Sequence, residues 1–255
     1  MHDLAHFTSD AAAECGTAIR EASIGAGSLE EAATRIVRFL RSDFASPEPA
    51  AASTPSRGRA APVSLSAGAL VRCFVTVPYG ELDADLQAFA KDMLGPIAPT
   101  PAMKCLTLLA SAGDLPDWNG RLGSRRHRAL PLASQQNALR SPMIAQLMEQ
   151  FGLELGSVVT PDAEILLGAE KRQLGVFHVA EAAGSPFIPA QRDFVIPFGI
   201  RSVVGFGGLF PTGDFFAFVI FARCTIHRET AELLGQLSAS AQSALLPFVG
   251  GPRFA

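Results

Sequence analysis

The most reactive side chains of this 255-residue chain are its four cysteines, Cys15, Cys73, Cys105 and Cys224. A thiolate can attack an electrophile, bind a metal or form a disulfide, and each of these reactions needs a suitable neighbouring group. The cysteines are widely scattered and no two form a C-x-x-C pair, which argues against a zinc knuckle or a thioredoxin motif. Cys73 and Cys105 lie on consecutive predicted strands. A redox pair there stays open as an alternative to buried, reduced thiols.

Other signs of catalysis or nucleotide binding are weak. Ser202 lies outside any G-x-S-x-G elbow, and no further group marks Asp114 and Asp117 as a catalytic pair. The glycines of GFGGLF at 205–210 lie within or at the end of a predicted strand, whereas a phosphate loop connects a strand to a helix. A bulge or a close backbone approach explains these glycines better.

One loop is rich in basic side chains. It follows Asp114 and also holds the single tryptophan, Trp118. Such a cluster is typical of a solvated loop, and the alternative is that it binds an anionic ligand or an acidic partner. The basic residues are Arg121, Arg125, Arg126, His127 and Arg128.

Composition and charge exclude several classes of protein. The net charge of −3 gives no electrostatic case for nucleic-acid binding. No apolar run reaches 18 residues, so we expect no membrane span, and the first residues lack the charged and apolar regions of a secretory signal. We therefore expect a cytoplasmic protein. Hydrophobic residues make up 48% of the chain, including 18 phenylalanines, which is enough for a substantial core or an apolar cavity wall.

The pattern of the first third predicts two helices and a linker. An Ala-rich stripe predicts a helix over Met1–Ile24 that is marginal alone and packs on another helix or subunit. Ser28 and Glu31 form a capping box for a second helix, Leu29–Phe44. Residues 45–66 are rich in Pro, Ala and Ser, which predicts a flexible insert, with a domain boundary as the alternative.

The remaining chain alternates between strands and helices, and hairpins outnumber crossovers. This order predicts an α+β fold with an antiparallel sheet and helices on one face. The run of eight apolar residues Phe215–Ala222 indicates a strand in the middle of the sheet. The other predicted strands are Ala69–Val77, Met103–Ala110, Gly175–Ala180 and Gly199–Phe210, and the predicted helices are Asp83–Leu94, Ser141–Phe151, Asp162–Leu167 and a C-terminal helix after the N-cap Thr225.

The C-terminal third carries a family resemblance. GIRSVVGF enters the sheet, the turn PTGD leads into FFAFVIFA, and RETAELLGQLSASAQSALL closes the segment as a helix. These features resemble a GAF domain, the PAS-related sensory fold found as the input module of bacterial histidine kinases. The resemblance implies five to six antiparallel strands with terminal helices on one face and a ligand pocket on the other. We assign residues 28–250 to this domain and 1–27 to an N-terminal helical extension.

The resemblance also implies where a ligand lies. In GAF domains it lies on the sheet face opposite the terminal helices, under the segment that corresponds here to Met143–Phe198. Bilin and cyclic-nucleotide motifs are absent, and His178 is the one candidate axial ligand for a haem or a metal. Arg192 offers a charge for an anionic ligand, although the adjacent Asp193 is an alternative partner. The predicted ligand-binding residues are His178, Phe187, Arg192, Phe198, Ser202 and Phe206.

We therefore expect a cytoplasmic signal-sensing module. It binds an apolar or aromatic molecule, or a tetrapyrrole such as haem, and passes the signal through its terminal helices. The partners that this implies are a second copy of the chain, joined through those helices, and a histidine kinase or other output protein. The alternatives are a GAF-fold enzyme that uses cysteine redox chemistry or hydrolyses a small molecule, and a purely structural dimerisation module.

Overall fold

The computed structural model describes residues 1–45, 66–124, 127–134, 141–153 and 175–255. These residues form an α+β fold around a six-stranded antiparallel sheet. The predicted fold class is confirmed at this level. Predictions for residues 46–65, the helical piece Asp162–Leu167, and Arg125 and Arg126 lie outside the described residues.

The sheet has the order β5-β4-β3-β8-β7-β6. Its strands are β3 Gly68–Pro78, β4 Lys104–Gly113, β5 Ala129–Pro131, β6 Phe177–Val179, β7 Ser202–Leu209 and β8 Phe215–Ala222, while β1 His2–Asp3 and β2 Phe44–Ala45 form a separate parallel pair. The α-helices are α1 Ser9–Ala22, α2 Leu29–Asp43, α3 Ala84–Leu94, α4 Pro142–Gln150, α5 Arg228–Gly235 and α6 Leu237–Leu245.

β8, one of the two central strands, is apolar throughout. Every residue of β8 is buried, because side chains alternate between the two faces of a strand and both faces of the sheet are covered. β8 pairs with β3 on one side and β7 on the other, as the uninterrupted apolar run predicts. The fold thus joins early and late parts of the chain at the centre of the sheet.

One face of the sheet, the helix face, is covered by α1, α2, α5 and α6. Ser28 Oγ accepts the backbone N–H of Glu31 at 3.0 Å, as predicted, and the Glu31 carboxylate reaches back to accept the N–H of Gly27 at 2.8 Å. The apolar sides of these helices then bury one continuous cluster. From the strands this cluster takes Val71, Cys73, Val75, Val204, Phe206, Phe216, Phe218 and Ile220.

The opposite face, the loop face, carries a second buried cluster under α4 and several loops. Ile144, Leu147 and Met148 of α4 pack into this cluster. From the strands it takes Leu70, Phe74, Leu106, Leu108, Val203, Leu209, Phe215, Ala217, Val219 and Phe221. The chain therefore has two distinct apolar layers separated by the sheet.

The start of the chain differs from the prediction of a helix over Met1–Ile24. Residues 2–3 pair instead with Phe44–Ala45, and α1 begins at Ser9 after the N-cap Thr8. His2 contacts Asp43 and Glu14 through its ring nitrogens, and Leu4 and Phe7 are buried in the helix-face cluster. These tertiary contacts outweigh a helical propensity that is weak in short segments.

The C-terminal helix also differs from its prediction. Thr225 is not the N-cap, since His227 precedes the first helical residue, and the predicted single helix is divided at Gln236 into α5 and α6. The backbone N–H of Ile226 donates to Ser202 Oγ at 3.0 Å, which holds this segment against the sheet before a helix can begin. The division follows Gly235, a residue type with low helix propensity.

Candidate functional site

The described residues contain no helix long and apolar enough to cross a membrane. Within the same ranges, no group of three or more His, Cys, Asp or Glu side chains is arranged to hold a metal ion. His178, the predicted axial ligand, lies among groups that serve the fold, as described next.

His178 connects the edge strand β6 to the segment before α5. Its Nε2 lies 2.8 Å from the carbonyl oxygen of Ile226, and because that oxygen only accepts, Nε2 must carry the proton. Ser202 Oγ completes the connection by donating to Ala180 O at 2.7 Å while it accepts from Ile226 N. His178 and Ser202 thus join the edge of the sheet to the entrance of the C-terminal helices.

The edge strand is also held by α4. Gln150 Oε1 accepts the backbone N–H of His178 at 2.6 Å, and Gln150 Nε2 donates to the carbonyl of the same residue at 3.3 Å. A side-chain amide therefore bonds both the backbone N–H and the backbone carbonyl of one residue of β6, as a neighbouring strand would. This contact connects the covering of the loop face to the sheet itself.

A shallow, open depression of about 390 Å³ lies beside β6. Its lining includes both His178 and Phe187, so the structure brings these two predicted site residues to one depression. The depression follows the loop after the edge strand and does not lie over the centre of the sheet. The remaining lining residues are Val179, Ala180, Glu181, Ala183, Gly184, Ser185 and Pro186.

Gln191 organises the loop that lines this depression, and the sequence analysis missed it. Its Nε2 donates to Ala182 O at 2.9 Å and to Ile188 O at 2.7 Å, while Oε1 accepts Gly184 N at 2.9 Å. One side chain thus provides hydrogen-bond partners for backbone groups that have no neighbouring strand or helical turn to pair with. Its position after Pro189 and Ala190 gave no distinguishing signal in the sequence.

We expect Gln191→Ala to lower the free energy of unfolding by about 1–3 kcal/mol, because it leaves several backbone groups without their partner. The amide hydrogen of Gly184 should also exchange faster with solvent. Chemical denaturation and hydrogen–deuterium exchange measure the two effects. Gln236→Ala, at an exposed position between α5 and α6, is the control and should change neither quantity appreciably. Equal effects from both variants would contradict the role of Gln191.

His178 should make the stability of the protein depend on pH. Burial is the main cause that lowers its pKa, with Arg228 and His227 adding to it, although the contact with Ile226 acts in the opposite direction. The folded state therefore favours the neutral ring. The stabilisation is complete above the ordinary pKa of about 6.5 and is lost as the pH falls through the lower folded value.

The expected result is that wild-type protein loses stability relative to His178→Gln between pH 7.5 and pH 5. Denaturation curves of both proteins across this range measure the difference. If the free energies of unfolding of the two proteins changed equally with pH, His178 would bind protons equally in the folded and unfolded states.

Phe198 belongs to an aromatic group at the end of the loop face. Its ring centroid lies 4.5 Å from that of Trp118 and 6.0 Å from that of Phe194. Phe194 in turn meets Phe221 of β8 edge to face at 5.0 Å. Arg192 is exposed on the π-helical turn Gln191–Val195. The predicted residues Phe187, Arg192 and Phe198 thus lie along one covering segment without meeting at one point.

Phe206 does not lie on the face where a ligand was predicted. Its ring is buried on the helix face and stacks on Phe218 with a centroid distance of 5.4 Å. Side chains alternate between the two faces of a strand. Val203 faces the loops, so Phe206, which lies an odd number of positions further along, faces the helices. Phe206 therefore cannot contact a ligand on the loop face.

The cysteines are arranged as inert thiols. All four are free and buried. β3 places Cys73 opposite Ala110, whereas Cys105 lies opposite Val77, so the two thiols are separated by about 13 Å along the strand. Burial raises the pKa of Cys15 and of Cys105 to about 12. Neither a Cys73–Cys105 disulfide nor a reactive thiolate fits this geometry.

Part of the basic loop is bound within the chain. Arg121 pairs with Glu30 at 3.0 Å and with Asp83 at 2.9 Å, and its guanidinium lies over the ring of Phe254. Arg128 lies 4.0 Å from Asp85. These arginines hold α2, α3 and the C-terminal residues together, which favours the structural interpretation for this part of the cluster.

No family model, curated protein or solved structure matches this chain. Its function must therefore be inferred from the fold and from the contacts described above.

Proposed function

We propose that this protein is a GAF-like signal-sensing module that binds a small molecule on the loop face. The observation that carries the proposal is the division of the fold into two apolar layers by one sheet. Helices from both ends of the described chain pack on the helix face, and the loop face is covered mainly by short elements and loops. Loops that cover a scaffold are common places for binding sites.

A route between the two faces supports the same proposal. His178 and Ser202 contact Ile226, which lies immediately before α5, while the loop that follows His178 lines the depression. A ligand that prefers one arrangement of this loop would shift the population of the arrangements at α5. The route is short because the edge strand and the helix entrance share the same hydrogen bonds.

The terminal helices would pass the signal to a second copy of the chain or to an output protein such as a histidine kinase. The Ala-rich stripe of α1 is already buried against its own chain, in the cluster shared with α2 and α6. A homodimer would therefore use the exposed sides of these helices. The cytoplasm is the compartment that we propose, and haem remains one of several ligands that a GAF-like module could hold.

The test is native mass spectrometry together with the absorption spectrum of the purified protein. We expect a co-purified small molecule, which Gln191→Ala should release because the loop beside the depression loses its hydrogen bonds. Hydrogen–deuterium exchange should show that release of the molecule changes protection in α5 and α6. A protein that carries no molecule, and whose helices do not respond to any added compound, would contradict the proposal.

The enzyme alternative is tested separately. Substitution of Cys73, Cys105 and Cys224 together by serine should leave ligand binding intact, since these thiols are buried in the helix-face cluster. Loss of binding in a folded triple variant would favour the cysteine chemistry instead.

A further inference from the structure

Arg72 is a cation in the middle of the most apolar part of the fold. It lies at the centre of β3, opposite Ser111 of β4 on one side and Val219 of β8 on the other. Strand alternation directs its side chain to the loop face, between those of Leu70 and Phe74. The arginine therefore belongs to the layer in which we propose that a ligand binds.

Arg72 has no hydrogen-bonding or ionic partner among the described residues. Its Nε is shielded from solvent without a hydrogen bond, and so is the hydroxyl oxygen of Ser111 directly across the strand pair. Burial alone lowers the pKa of Arg72 to about 10, and no charged neighbour contributes to that change. The residue as a whole keeps some exposure to solvent, although its Nε is shielded.

Other shielded arginines of the described chain are neutralised by carboxylates. Arg121 pairs with Glu30 and Asp83, and Arg223 pairs with Asp114. A buried charge without a partner destabilises a fold, and native proteins seldom keep one without a functional reason. The missing partner of Arg72 is therefore a group that none of the described residues supplies.

We propose that Arg72 and Ser111 bind the carboxylate of a small organic acid whose apolar body packs on the loop face. This inference rests on the proposed function and names its ligand class, although β8 and β7 separate Arg72 from β6, so the carboxylate would bind on the loop face away from the depression. A guanidinium holds a carboxylate through two parallel hydrogen bonds, and the neighbouring hydroxyl can donate a third. One cation balances one negative charge, whereas a phosphate dianion would need additional donors.

The side chains around Arg72 indicate the chemistry of the part of the ligand beyond its carboxylate. Leu70, Phe74 and Val219 flank it on the sheet. Phe221, which lies opposite Leu70, contacts Phe194 of the aromatic group described above. The side chains that flank Arg72 are buried in the loop-face cluster, so the apolar body of the ligand must insert into that cluster, where it meets apolar contacts and few polar ones. This environment suits an aromatic or aliphatic acid better than a sugar acid or a small, fully hydrated anion.

The first experiment measures the unliganded protein. Arg72→Met keeps the length and the apolar stem of the side chain but removes the charge, so its melting temperature should equal or exceed that of the wild type. Arg223→Met is the matched control and should melt at a clearly lower temperature, because Arg223 has partners on Asp114, Phe198 and Ser66. A comparable loss for both variants would show that the chain itself neutralises Arg72, and would overturn the proposal.

The second experiment measures binding by titration calorimetry with benzoate, phenylacetate, 2-naphthoate and octanoate. Each acid is compared with its neutral primary amide. We expect at least one acid to bind at least about tenfold more tightly than its amide, and Arg72→Met to remove this preference. Ser111→Ala, a small change that should not impair folding, should weaken the same acid severalfold.

The outcomes separate this inference from the proposed function. If the amides bind as well as the acids and Arg72→Met changes neither, a binding site exists but the carboxylate assignment is wrong. If no acid binds while native mass spectrometry finds a neutral co-purified molecule, the carboxylate assignment is again wrong and the sensory function stands. If no compound binds and no molecule co-purifies, both proposals fail.

Discussion

Replacement of Asp214 by alanine is expected to lower the free energy of unfolding by about 3–5 kcal/mol. The Asp214 side chain is 2% exposed and accepts from Lys104 Nζ at 2.5 Å and from Thr212 Oγ1 at 3.0 Å. Arg253 Nη2, near the C-terminus, lies 3.4 Å from the same carboxylate. Without Asp214, the largely buried Lys104 loses its counter-ion, whereas Arg253 keeps its ion pair with Glu81. The uncompensated charge of Lys104 accounts for most of the expected loss.

Chemical denaturation of Asp214→Ala and wild type measures this effect. Asp85→Ala is the matched control, since Asp85 is 79% exposed and lies 4.0 Å from Arg128. Exposed ion pairs contribute little, so the control should differ from wild type by less than about 1 kcal/mol. If Asp214→Ala were as mild as Asp85→Ala, the buried network would not stabilise the end of the sheet.

The second large effect is expected from Asp114→Asn, which should destabilise the fold by about 3 kcal/mol. One carboxylate oxygen accepts from Arg41 Nη2 of α2 at 2.8 Å, and the other accepts from Arg223, just after β8. Arg223 also donates to the carbonyl oxygens of Phe198 at 3.1 Å and Ser66 at 2.9 Å. Asparagine keeps the shape of the side chain but leaves both arginines without a counter-ion.

This variant should also loosen the covering of the loop face. Because Arg223 holds Phe198 only while Asp114 orients its guanidinium, hydrogen exchange should increase around Phe198 in Asp114→Asn. Glu232→Gln is the control, since its pair with Arg228 is exposed on α5 and links residues four positions apart. A destabilised Asp114→Asn with unchanged exchange at Phe198 would limit Asp114 to a role in the helix face and the sheet.

The proposed site was only partly predictable. His178 and Phe187 do line one depression, but Phe206 lies on the opposite face of the sheet. Residues 203–210 contain no polar side chain that would reveal which alternate positions face the helices. The sequence did not single out Arg72, because the apolar residues around it predict a strand and one charged residue within a strand does not indicate a site.

Local signals determined much of this protein. The cap at Ser28 and the apolar run of β8 each depend on residues within a few positions of one another, and each has the expected structure. Such features are readable because their partners are close in the chain.

The tertiary structure alone decided which distant residues meet. Asp114 finds its partners 73 positions before it and 109 positions after it, and Asp214 lies 110 positions from Lys104. Residues 2–3 pair with Phe44–Ala45, and Leu4 and Phe7 pack into the helix-face cluster, so this segment does not continue α1. Arg72 receives no partner among the described residues. These outcomes follow from strand order and the packing of layers. A linear pattern does not contain them, because the energy of a contact depends on distance in space and not on distance along the chain.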